Sequence, residues 1–245
     1  MGKAIADGLI LSGNFTRNDL VFGTDNATNI KAVKSSKIVI LAVKPDIVPL
    51  VINVIKSHLT KEHLIISVAA RIKISDIKKF LADKTAKNNK KNIPIVRVMP
   101  NICAAFGQSV SCWMKSREVT NKNVKDVKLI LNSIGKDIEI KDEKQFGLIT
   151  MLAGSGPAFY FYLAELFEKF AQQNGLNSKD AEKIIKQTFL GSSMLLDKSN
   201  KSAAELRKNV TSKKGTTEAA IKVLMKNKFD KIFLKGLKAG HKRAS

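Results

Sequence analysis

Two short segments in the first half of the 245-residue chain could hold a bound ligand. Ala42-Val43-Lys44-Pro45 and Arg97-Val98-Met99-Pro100-Asn101 each close an apolar run with a proline. In a doubly wound α/β sheet, ligands lie beyond the carboxyl ends of the parallel strands, so two runs that end alike predict one shared crevice. Taken singly, each segment is also an ordinary strand-to-helix turn, and Asn101 either hydrogen-bonds a ligand or closes an Asx turn.

Two further segments lie in the second half of the chain. Ala153–Ala158 consists mainly of small residues, but no predicted strand leads into it and it lacks the Lys-Ser/Thr of a phosphate loop, which favours a packing site beside the crevice. In Val210–Ala219, a polar loop enters a helix at Gly215-Thr216-Thr217. The free N–H groups of a helix start and two hydroxyls suit a small carboxylate. A plain capped helix is the alternative interpretation.

The remaining composition excludes several other kinds of site. His58, His63 and His241 form no cluster with cysteines or carboxylates, so no metal centre is predicted. Cys103 and Cys112 are too few for a disulfide framework. No apolar run approaches the roughly 20 residues of a membrane-spanning helix, and no signal-peptide pattern is present. The expectation is a soluble protein of the reducing cytoplasm, without a membrane partner.

The formal net charge of +22 raises the question of nucleic-acid binding. Only six of the 43 basic residues are arginines, and arginine makes most bidentate contacts with bases and phosphates. The lysines are scattered over nearly every segment, including a lysine-rich loop around residues 87–92. This pattern favours a solvated lysine surface and predicts no nucleic-acid partner, although such a surface would attract anionic small molecules.

The order of strands and helices divides the chain into two parts. With 44% apolar residues, the chain is long enough for a substantial core. Strands are predicted at 19–22, 37–43, 64–68, 93–99 and 110–113. Helices alternate with them at 3–11, 28–36, 46–56, 75–81 and 123–134. This alternation is typical of a parallel sheet covered by helices. Beyond residue 142, only helices are predicted, at 151–174, 178–196, 203–209 and 216–225. The predicted domains are therefore 1–141 and 142–245.

Taken together, these segments resemble the pyrroline-5-carboxylate reductase family over essentially the whole chain. The residues that carry the resemblance, in the family's order, are Met1-Gly2-Lys3-Ala4-Ile5, Ala42-Val43-Lys44-Pro45, Arg97-Val98-Met99-Pro100-Asn101, Gly154-Ser155-Gly156-Pro157-Ala158 and Ser212-Lys213-Lys214-Gly215-Thr216-Thr217. Five weak motifs in the right order are far more specific than any one of them. The resemblance implies an α/β Rossmann-type domain that is here incomplete, followed by an all-helical dimerisation domain.

The activity implied by the resemblance is the last step of proline biosynthesis. The family reduces 1-pyrroline-5-carboxylate to L-proline by hydride transfer from NADPH or NADH to the imine carbon, and it works as a homodimer or higher homo-oligomer. A protonated imine is already a good electrophile, so the protein's task is mainly positioning and charge complementarity. This accounts for a sequence in which no strong acid–base dyad is visible.

The resemblance also assigns site residues. It matches Thr217 to the family's catalytic threonine, which hydrogen-bonds or protonates the ring nitrogen. It places the substrate among Ser212, Gly215, Thr216 and Thr217. The residues that it matches to the cofactor site are Gly2, Asn26, Ala42, Val43, Lys44, Pro45 and Asn101.

The chain departs from the family pattern at four places. The leading strand and the first two glycines of the Gly-x-Gly-x-x-Gly turn are absent before Met1-Gly2. Phe22 runs directly into Gly23, so the helix between the family's second strand and this point is missing. Arg71 replaces a glycine near the nicotinamide, and Lys213-Lys214 replaces a Pro-Gly pair in the substrate loop.

Three interpretations fit these departures. The first residue is an internal methionine, with the leading strand encoded upstream; or the chain is a catalytically impaired, reductase-derived dimeric protein; or it is an active outlier whose dimer partner supplies what it lacks. The first of these does not explain the internal gap or the lysines. Cofactor binding distinguishes a working enzyme from an impaired one, because the pyrophosphate turn supplies several charge-assisted hydrogen bonds of about 1.5–3 kcal/mol each.

Overall fold

The computed structural model describes residues 1–82 and 92–244. The strands are β1 Ile38–Leu41, β2 Leu64–Ser67, β3 Ile95–Met99, β4 Ser109–Lys115 and β5 Gly135–Glu139. The α-helices of the first part are α1 Gly2–Leu11, α2 Asn26–Ser35, α3 Val48–Ile55, α4 Ile74–Leu81, α5 Asn121–Ser133 and α6 Phe146–Ile149. They are followed by α7 Gly156–Gln173, α8 Ser178–Lys198, α9 Ala203–Asn209, α10 Thr216–Lys226 and α11 Phe229–Ala244. Most of the predicted lysine-rich loop, residues 87–91, lies outside the described residues.

The five strands form one sheet in the order β1-β2-β3-β4-β5. β1, β2 and β3 run parallel, with Leu41 beside Ser67 and Ser67 beside Arg97. β4 runs antiparallel to β3, and β5 runs parallel to β4. The predicted parallel sheet is therefore confirmed for its first three strands, and β4 reverses direction because only nine residues separate it from β3, too few for a helical crossover.

Helices cover both faces of this sheet. Side chains of successive strand residues point to opposite faces, so Leu64 and Ile66 pack into one core cluster and Ile65 into the other. The first cluster includes residues of α1 and α5, and the second includes residues of α2, α3 and α4. The near-continuous apolar strands in the sequence are explained by this double coverage.

The structure corrects the prediction at three elements. Residues 19–22 form no strand, because Asp19 accepts hydrogen bonds from both the backbone N–H and the hydroxyl of Thr16, 2.7 Å each, and closes a short 3₁₀ turn. Strand β5 was missed, since Ile138 is its one large apolar residue. Helix α11 was also missed, because its lysines and two glycines weaken the helical pattern.

By packing, the chain divides into two compact units. Met1–Pro157 with His241–Ser245 forms the first unit, and Ala158–Gly240 forms the second. The second unit contains helices only, from α7 onward, as expected for the second half of the chain. The predicted boundary at 141/142 divides the chain by type of element and stays a prediction.

The second unit buries few of its apolar side chains. Phe189 makes edge-to-face contacts with Tyr160 and Phe167, with ring centroids 6.4 and 5.7 Å apart. Even so, many large apolar side chains on its helices are exposed, among them Phe161, Phe167, Phe170, Leu190 and Ile232. Apolar surface of this extent marks an interaction site in a folded protein.

One helical stretch of the described residues, Glu143–Gln173, is long and apolar enough to cross a membrane by length and composition. The apolar runs of the sequence predict no such helix, because polar residues interrupt every one of them. Only 17% of its most apolar window is buried. A helix that a second subunit covers has the same composition, so this property alone does not place the chain in a membrane.

A charge pair joins α4 to the segment between β4 and α5. Lys78 Nζ lies 2.8 Å from a carboxylate oxygen of Glu118, whose side chain is 11% exposed. Burial by itself would raise the pKa of Glu118, but hydrogen bonds from Lys78, Ser116 and Arg117 outweigh it and lower the pKa to about 2. The folded state therefore favours the ionised carboxylate more strongly than the unfolded chain does.

The stability of the folded chain is expected to fall as the pH drops from about 4.5 toward 2. The contribution of Glu118 is complete above its ordinary pKa of 4.5 and is lost as the pH falls toward 2. We expect Glu118→Gln to lower the free energy of unfolding by about 1–2 kcal/mol at pH 6 and by much less near pH 2. Urea unfolding at both pH values measures this, with the exposed Glu62→Gln as control. An equal loss at both pH values would contradict it.

Candidate cofactor and substrate sites

The predicted crevice lies where the three parallel strands end. Because β1, β2 and β3 are parallel and in register, their carboxyl ends reach the same edge of the sheet. Ala42–Pro45 follows β1, and Pro100-Asn101 follows β3. The structure thus places these two predicted segments on one rim, with residues 68–71 after β2 between them.

The start of α1 lies against the end of β1. A Cβ atom placed on Gly2 would be 3.2 Å from Cβ of Ala42, so this glycine permits a close approach of the helix to the strand. The backbone N–H of Ile5 is the first to bond within the helix, to the carbonyl of Met1. The first-turn N–H groups before it have no intrahelical acceptor, and the first turn carries no acidic residue. This is a suitable place for a phosphate group.

Asn101 uses its side chain within the protein. Its Oδ1 accepts a hydrogen bond from the N–H of Cys103 at 3.0 Å, and its Nδ2 donates to the carbonyl of Ala153 at 3.1 Å. Of the two alternatives in the sequence, the Asx turn is the one observed. The amide holds the rim against Ala153–Ala158, which agrees with a packing role for that small-residue segment. The predicted contact of Asn101 with the cofactor stays a prediction.

Asn26 lies apart from these elements in the chain, at the first residue of α2. Asp25 caps this helix by accepting a hydrogen bond from the N–H of Thr28. Asn26 is exposed and does not line the cavity beside β1. The predicted contact of Asn26 with the cofactor ribose stays a prediction.

Sequence reasoning did not identify two buried polar atoms on neighbouring strands of the sheet. Ser67 Oγ and Arg97 Nε have no hydrogen-bond partner among the described residues. Ser67 is the last residue of β2, and its register neighbour Arg97 lies in the middle of β3. Buried polar atoms without a partner are costly, so a water molecule beside them would stabilise them. No sequence pattern marks such a pair, because it depends on strand register.

The predicted substrate loop lies in the second unit and leads into α10. Gly215 precedes the helix, and its N–H donates to the carbonyl of Ser212 at 3.0 Å. A Cβ atom on Gly215 would come within 2.3 Å of the Ser212 hydroxyl, so only glycine fits without a shift. Thr216 and Thr217 form the first turn, where the N–H groups are free to meet an anion.

Glu218 is the one acidic side chain in that first turn. It accepts a hydrogen bond from the N–H of Lys214 at 2.9 Å and pairs with Lys222 at 3.2 Å. The hydrogen bond from Lys214 is the main cause that lowers the pKa of Glu218. Its negative charge is therefore partly compensated by groups of the protein. Lys213 and Lys214, both exposed, add positive charge to the loop.

Two of the residues at which this chain differs from the family pattern have a left-handed backbone conformation. Arg71 has φ +67° and Lys214 has φ +59°, the region that favours glycine. These are the positions at which the family resemblance places glycine. A side chain at positive φ costs about 1–2 kcal/mol, so both substitutions add strain to the rim and the substrate loop.

Restoring glycine is expected to relieve this strain. We expect Arg71→Gly and Lys214→Gly each to raise the free energy of unfolding by about 0.5–1 kcal/mol, after the greater chain entropy of glycine is subtracted. Lys213→Gly is the matched control, since its backbone is not left-handed, and it should give no gain. Thermal unfolding followed by circular dichroism measures all three. A loss of stability in Arg71→Gly and Lys214→Gly would contradict the interpretation that these two positions are strained.

Across residues 1–82 and 92–244, no group of three or more histidine, cysteine, aspartate or glutamate side chains could hold a metal ion. The chemistry available at these two places is that of backbone N–H groups, hydroxyls and lysine charges.

The fold defines the class of protein: an NAD(P)-binding α/β domain followed by a helical dimerisation domain. Residues 143–245 match the family model described as pyrroline-5-carboxylate reductase dimerisation. Residues 15–71 match the model described as NADP oxidoreductase coenzyme F420-dependent. These two matches confirm the predicted order of an α/β part and a helical part.

Full-length relatives give the family. Over 89% of the chain and 77% of the relative, the sequence is 32% identical to pyrroline-5-carboxylate reductase of Pseudomonas aeruginosa. It is 31% identical to that of Arabidopsis thaliana, over 100% of the chain and 91% of the relative. The crystal structure of Plasmodium falciparum pyrroline carboxylate reductase with NADP bound superposes with a TM-score of 0.87 at 27% identity, covering 100% of this chain and 93% of that one. The chain belongs to the pyrroline-5-carboxylate reductase family.

Proposed function

We propose that this chain reduces 1-pyrroline-5-carboxylate to L-proline with NADPH or NADH, as a cytoplasmic homodimer or larger homo-oligomer. The observation that carries the proposal is the match of the family's dimerisation model to residues 143–245, which include the whole Ser212–Thr217 loop. The exposed apolar helices of the second unit supply a surface that a second subunit can cover.

The residues at the rim fit a dinucleotide in part. The first turn of α1 offers free N–H groups to a phosphate, and the glycine at its start permits the close approach that such a ligand needs. Ala42–Pro45 would border the cofactor, with Asn101 positioning the rim beside it. When bound, the reduced nicotinamide supplies the hydride that converts the imine carbon to a secondary amine carbon.

The substrate loop supplies the polar contacts for a small imino acid. The N–H groups of Thr216 and Thr217 and the hydroxyl of Ser212 would bind its carboxylate, helped by the helix dipole and the neighbouring lysines. The Thr217 hydroxyl would hydrogen-bond the ring nitrogen and hold its proton, so that the imine stays electrophilic until the new C–H bond forms. Hydride transfer to the protonated imine gives a neutral secondary amine, which takes one further proton from water, and L-proline and the oxidised cofactor are then released.

A second candidate function is favoured by the strained positions. In that case, the chain is a reductase-derived dimeric protein that folds and associates but binds cofactor poorly. The left-handed Arg71 and Lys214 carry this alternative. Both candidates predict the same helical content and the same oligomeric state, so they differ only in cofactor binding and turnover.

The test is product formation by the purified chain. With 1-pyrroline-5-carboxylate and NADPH or NADH, we expect one L-proline for each reduced cofactor consumed, measured by mass spectrometry and by absorbance of the reduced nicotinamide. Light scattering of the same sample gives the oligomeric state. A correctly folded dimer that forms no proline with either cofactor would contradict the reductase and support the second candidate.

A further inference from the structure

Pro157 lies inside the helical stretch Glu143–Gln173. Proline has no backbone N–H, and its ring crowds the carbonyl of the residue four positions back. In this chain that residue is Ala153, so its carbonyl lacks the donor that an α-helix would supply at residue 157. A helix accommodates an internal proline by a local change of its hydrogen bonding, and the carbonyl needs a donor from elsewhere.

The turn before Pro157 shows this change. Thr150–Gly154 is π-helical, and the N–H of Ser155 bonds the carbonyl of Thr150, five residues back, at 2.9 Å. The hydroxyl of Thr150 also donates to the carbonyl of Phe146 at 2.7 Å. A single π-helical turn inside an α-helix is rare and frequently accompanies a functional site. This wide turn therefore needs support from outside the helix.

The support comes from Asn101, the residue two positions beyond β3. Its Nδ2 donates to the carbonyl of Ala153 at 3.1 Å. Asn101 is 7% exposed, its Oδ1 accepts from the N–H of Cys103, and its own N–H donates to the hydroxyl of Ser109, at 3.0 Å each. Because three hydrogen bonds fix this buried residue, it holds Ala153 in one position. Its amide takes the place of the N–H that Pro157 lacks.

Asn101 is also linked by packing to helix α1. It precedes the 3₁₀ helix Ile102–Phe106, which its Oδ1 caps. A Cβ atom on Gly8 would come within 1.9 Å of the carbonyl oxygen of Ala104, so α1 lies directly on this 3₁₀ helix. Ala104 is fully buried in the core cluster that includes residues of α1. Because protein interiors are close-packed, a shift of Asn101 would be transmitted to α1, whose first turn suits a phosphate group.

We propose that Asn101 is a positioning residue of the cofactor site, which acts by giving the carbonyl of Ala153 the hydrogen bond that Pro157 cannot give. The bond fixes the wide turn against the rim, and the 3₁₀ helix that follows Asn101 holds α1 in the matching position. The inference deepens the proposed function and rests on it only for the effect on cofactor affinity.

The test is a double-mutant cycle between Asn101 and Pro157. Asn101→Ser keeps an oxygen that can accept from the N–H of Cys103, but it lacks the amide that donates to Ala153. Pro157→Ala supplies an N–H four residues beyond Ala153, so it makes the Asn101 amide dispensable. Asn132→Ser is the matched control, because it makes the same change at an exposed asparagine of α5.

Amide hydrogen exchange reports on the wide turn without any cofactor. We expect the N–H of Ser155 to exchange about tenfold faster in Asn101→Ser than in the parent chain, because its bond to Thr150 depends on the turn keeping its shape. In the Pro157→Ala background, the same change at Asn101 should alter this rate by less than about twofold. The control should match the parent. Equal exchange of Ser155 in Asn101→Ser and in the parent would overturn the proposal.

Circular dichroism covers the case in which Asn101→Ser does not fold. The double variant Asn101→Ser, Pro157→Ala should then regain the parent spectrum, because the helix supplies the donor for Ala153 itself. Failure of both variants to fold would overturn the proposal, since Asn101 would then be needed for another reason.

Cofactor affinity is the functional measurement, followed by nicotinamide fluorescence with whichever of NADPH and NADH the parent binds. Asn101→Ser should raise Kd about tenfold, and Pro157→Ala should remove most of this effect. A merely structural role would lower stability and leave the Kd of the folded variant unchanged, which would overturn the positioning role. If the parent binds neither cofactor, the proposed function fails, and the exchange of Ser155 still decides whether Asn101 replaces the missing donor.

Discussion

Replacing Thr217 by alanine is expected to lower kcat for 1-pyrroline-5-carboxylate about 100-fold, because the variant loses the hydroxyl that holds the proton at the ring nitrogen. Thr217 lies in the first turn of α10, half-buried, one residue beyond the helix start. Its loss removes no core packing, so folding and oligomeric state should be unchanged. Steady-state kinetics with saturating NADPH measures the effect, and cofactor affinity should stay at the wild-type value.

The matched control is Thr188→Ala, an exposed threonine in the middle of α8. It makes the same chemical change on a helix that carries none of the proposed substrate contacts, and its kinetics should match those of the parent chain. If Thr217→Ala kept full kcat, or if both variants lost activity equally, the assignment of the catalytic threonine would be wrong.

The second large effect concerns stability. Replacing Glu143 by alanine is expected to lower the free energy of unfolding by about 2–3 kcal/mol, because it leaves a buried guanidinium without its counter-charge. The side chain of Arg97 is 5% exposed and bonds Glu143 at 2.8 Å. The guanidinium also lies 4.2 Å from the ring centre of Phe146. Glu143 also accepts a hydrogen bond from the N–H of Ile74. The substitution therefore removes a contact from α4 as well as from β3.

Urea unfolding followed by tryptophan fluorescence measures this effect, since the single tryptophan, Trp113, is buried in the first unit. Glu139→Ala is the control: it breaks an ion pair with Lys115 in which both side chains are about 40% exposed, and it should cost less than about 1 kcal/mol. The double variant Arg97→Met, Glu143→Leu should recover part of the loss, because it leaves no buried charge. Equal effects of Glu143→Ala and Glu139→Ala would contradict the account.

The pattern of apolar residues was enough to predict most of the strands and helices of the first unit. The runs that became β1, β2 and β3 are strongly β-branched and are covered on both faces, so their sequence signal does not depend on distant contacts. β5 carries no such signal, because its place is fixed by pairing with β4 and by the hydrogen bond from Trp113 to Asp137. The edge position of β1 was also not predictable from its own residues, which are those of an interior strand.

The candidate sites were predictable only in part. The two proline-terminated segments lie on one rim because parallel strands end together, which follows from topology. The roles of Asn101, Ser67 and Arg97 depend on register and on contacts between residues far apart in the chain, and no spacing in the sequence reveals them. The resemblance, in contrast, identified Arg71 and Lys214 as departures before the left-handed backbone gave the physical reason that they matter.

The most direct test of the central claim is a titration of NADPH and NADH into the purified chain, followed by nicotinamide fluorescence, with 1-pyrroline-5-carboxylate then added to the same sample. A working reductase is expected to bind at least one cofactor saturably at micromolar concentration and to consume it when the substrate is added. The absence of binding at millimolar cofactor, in a chain shown to be folded, would contradict the account.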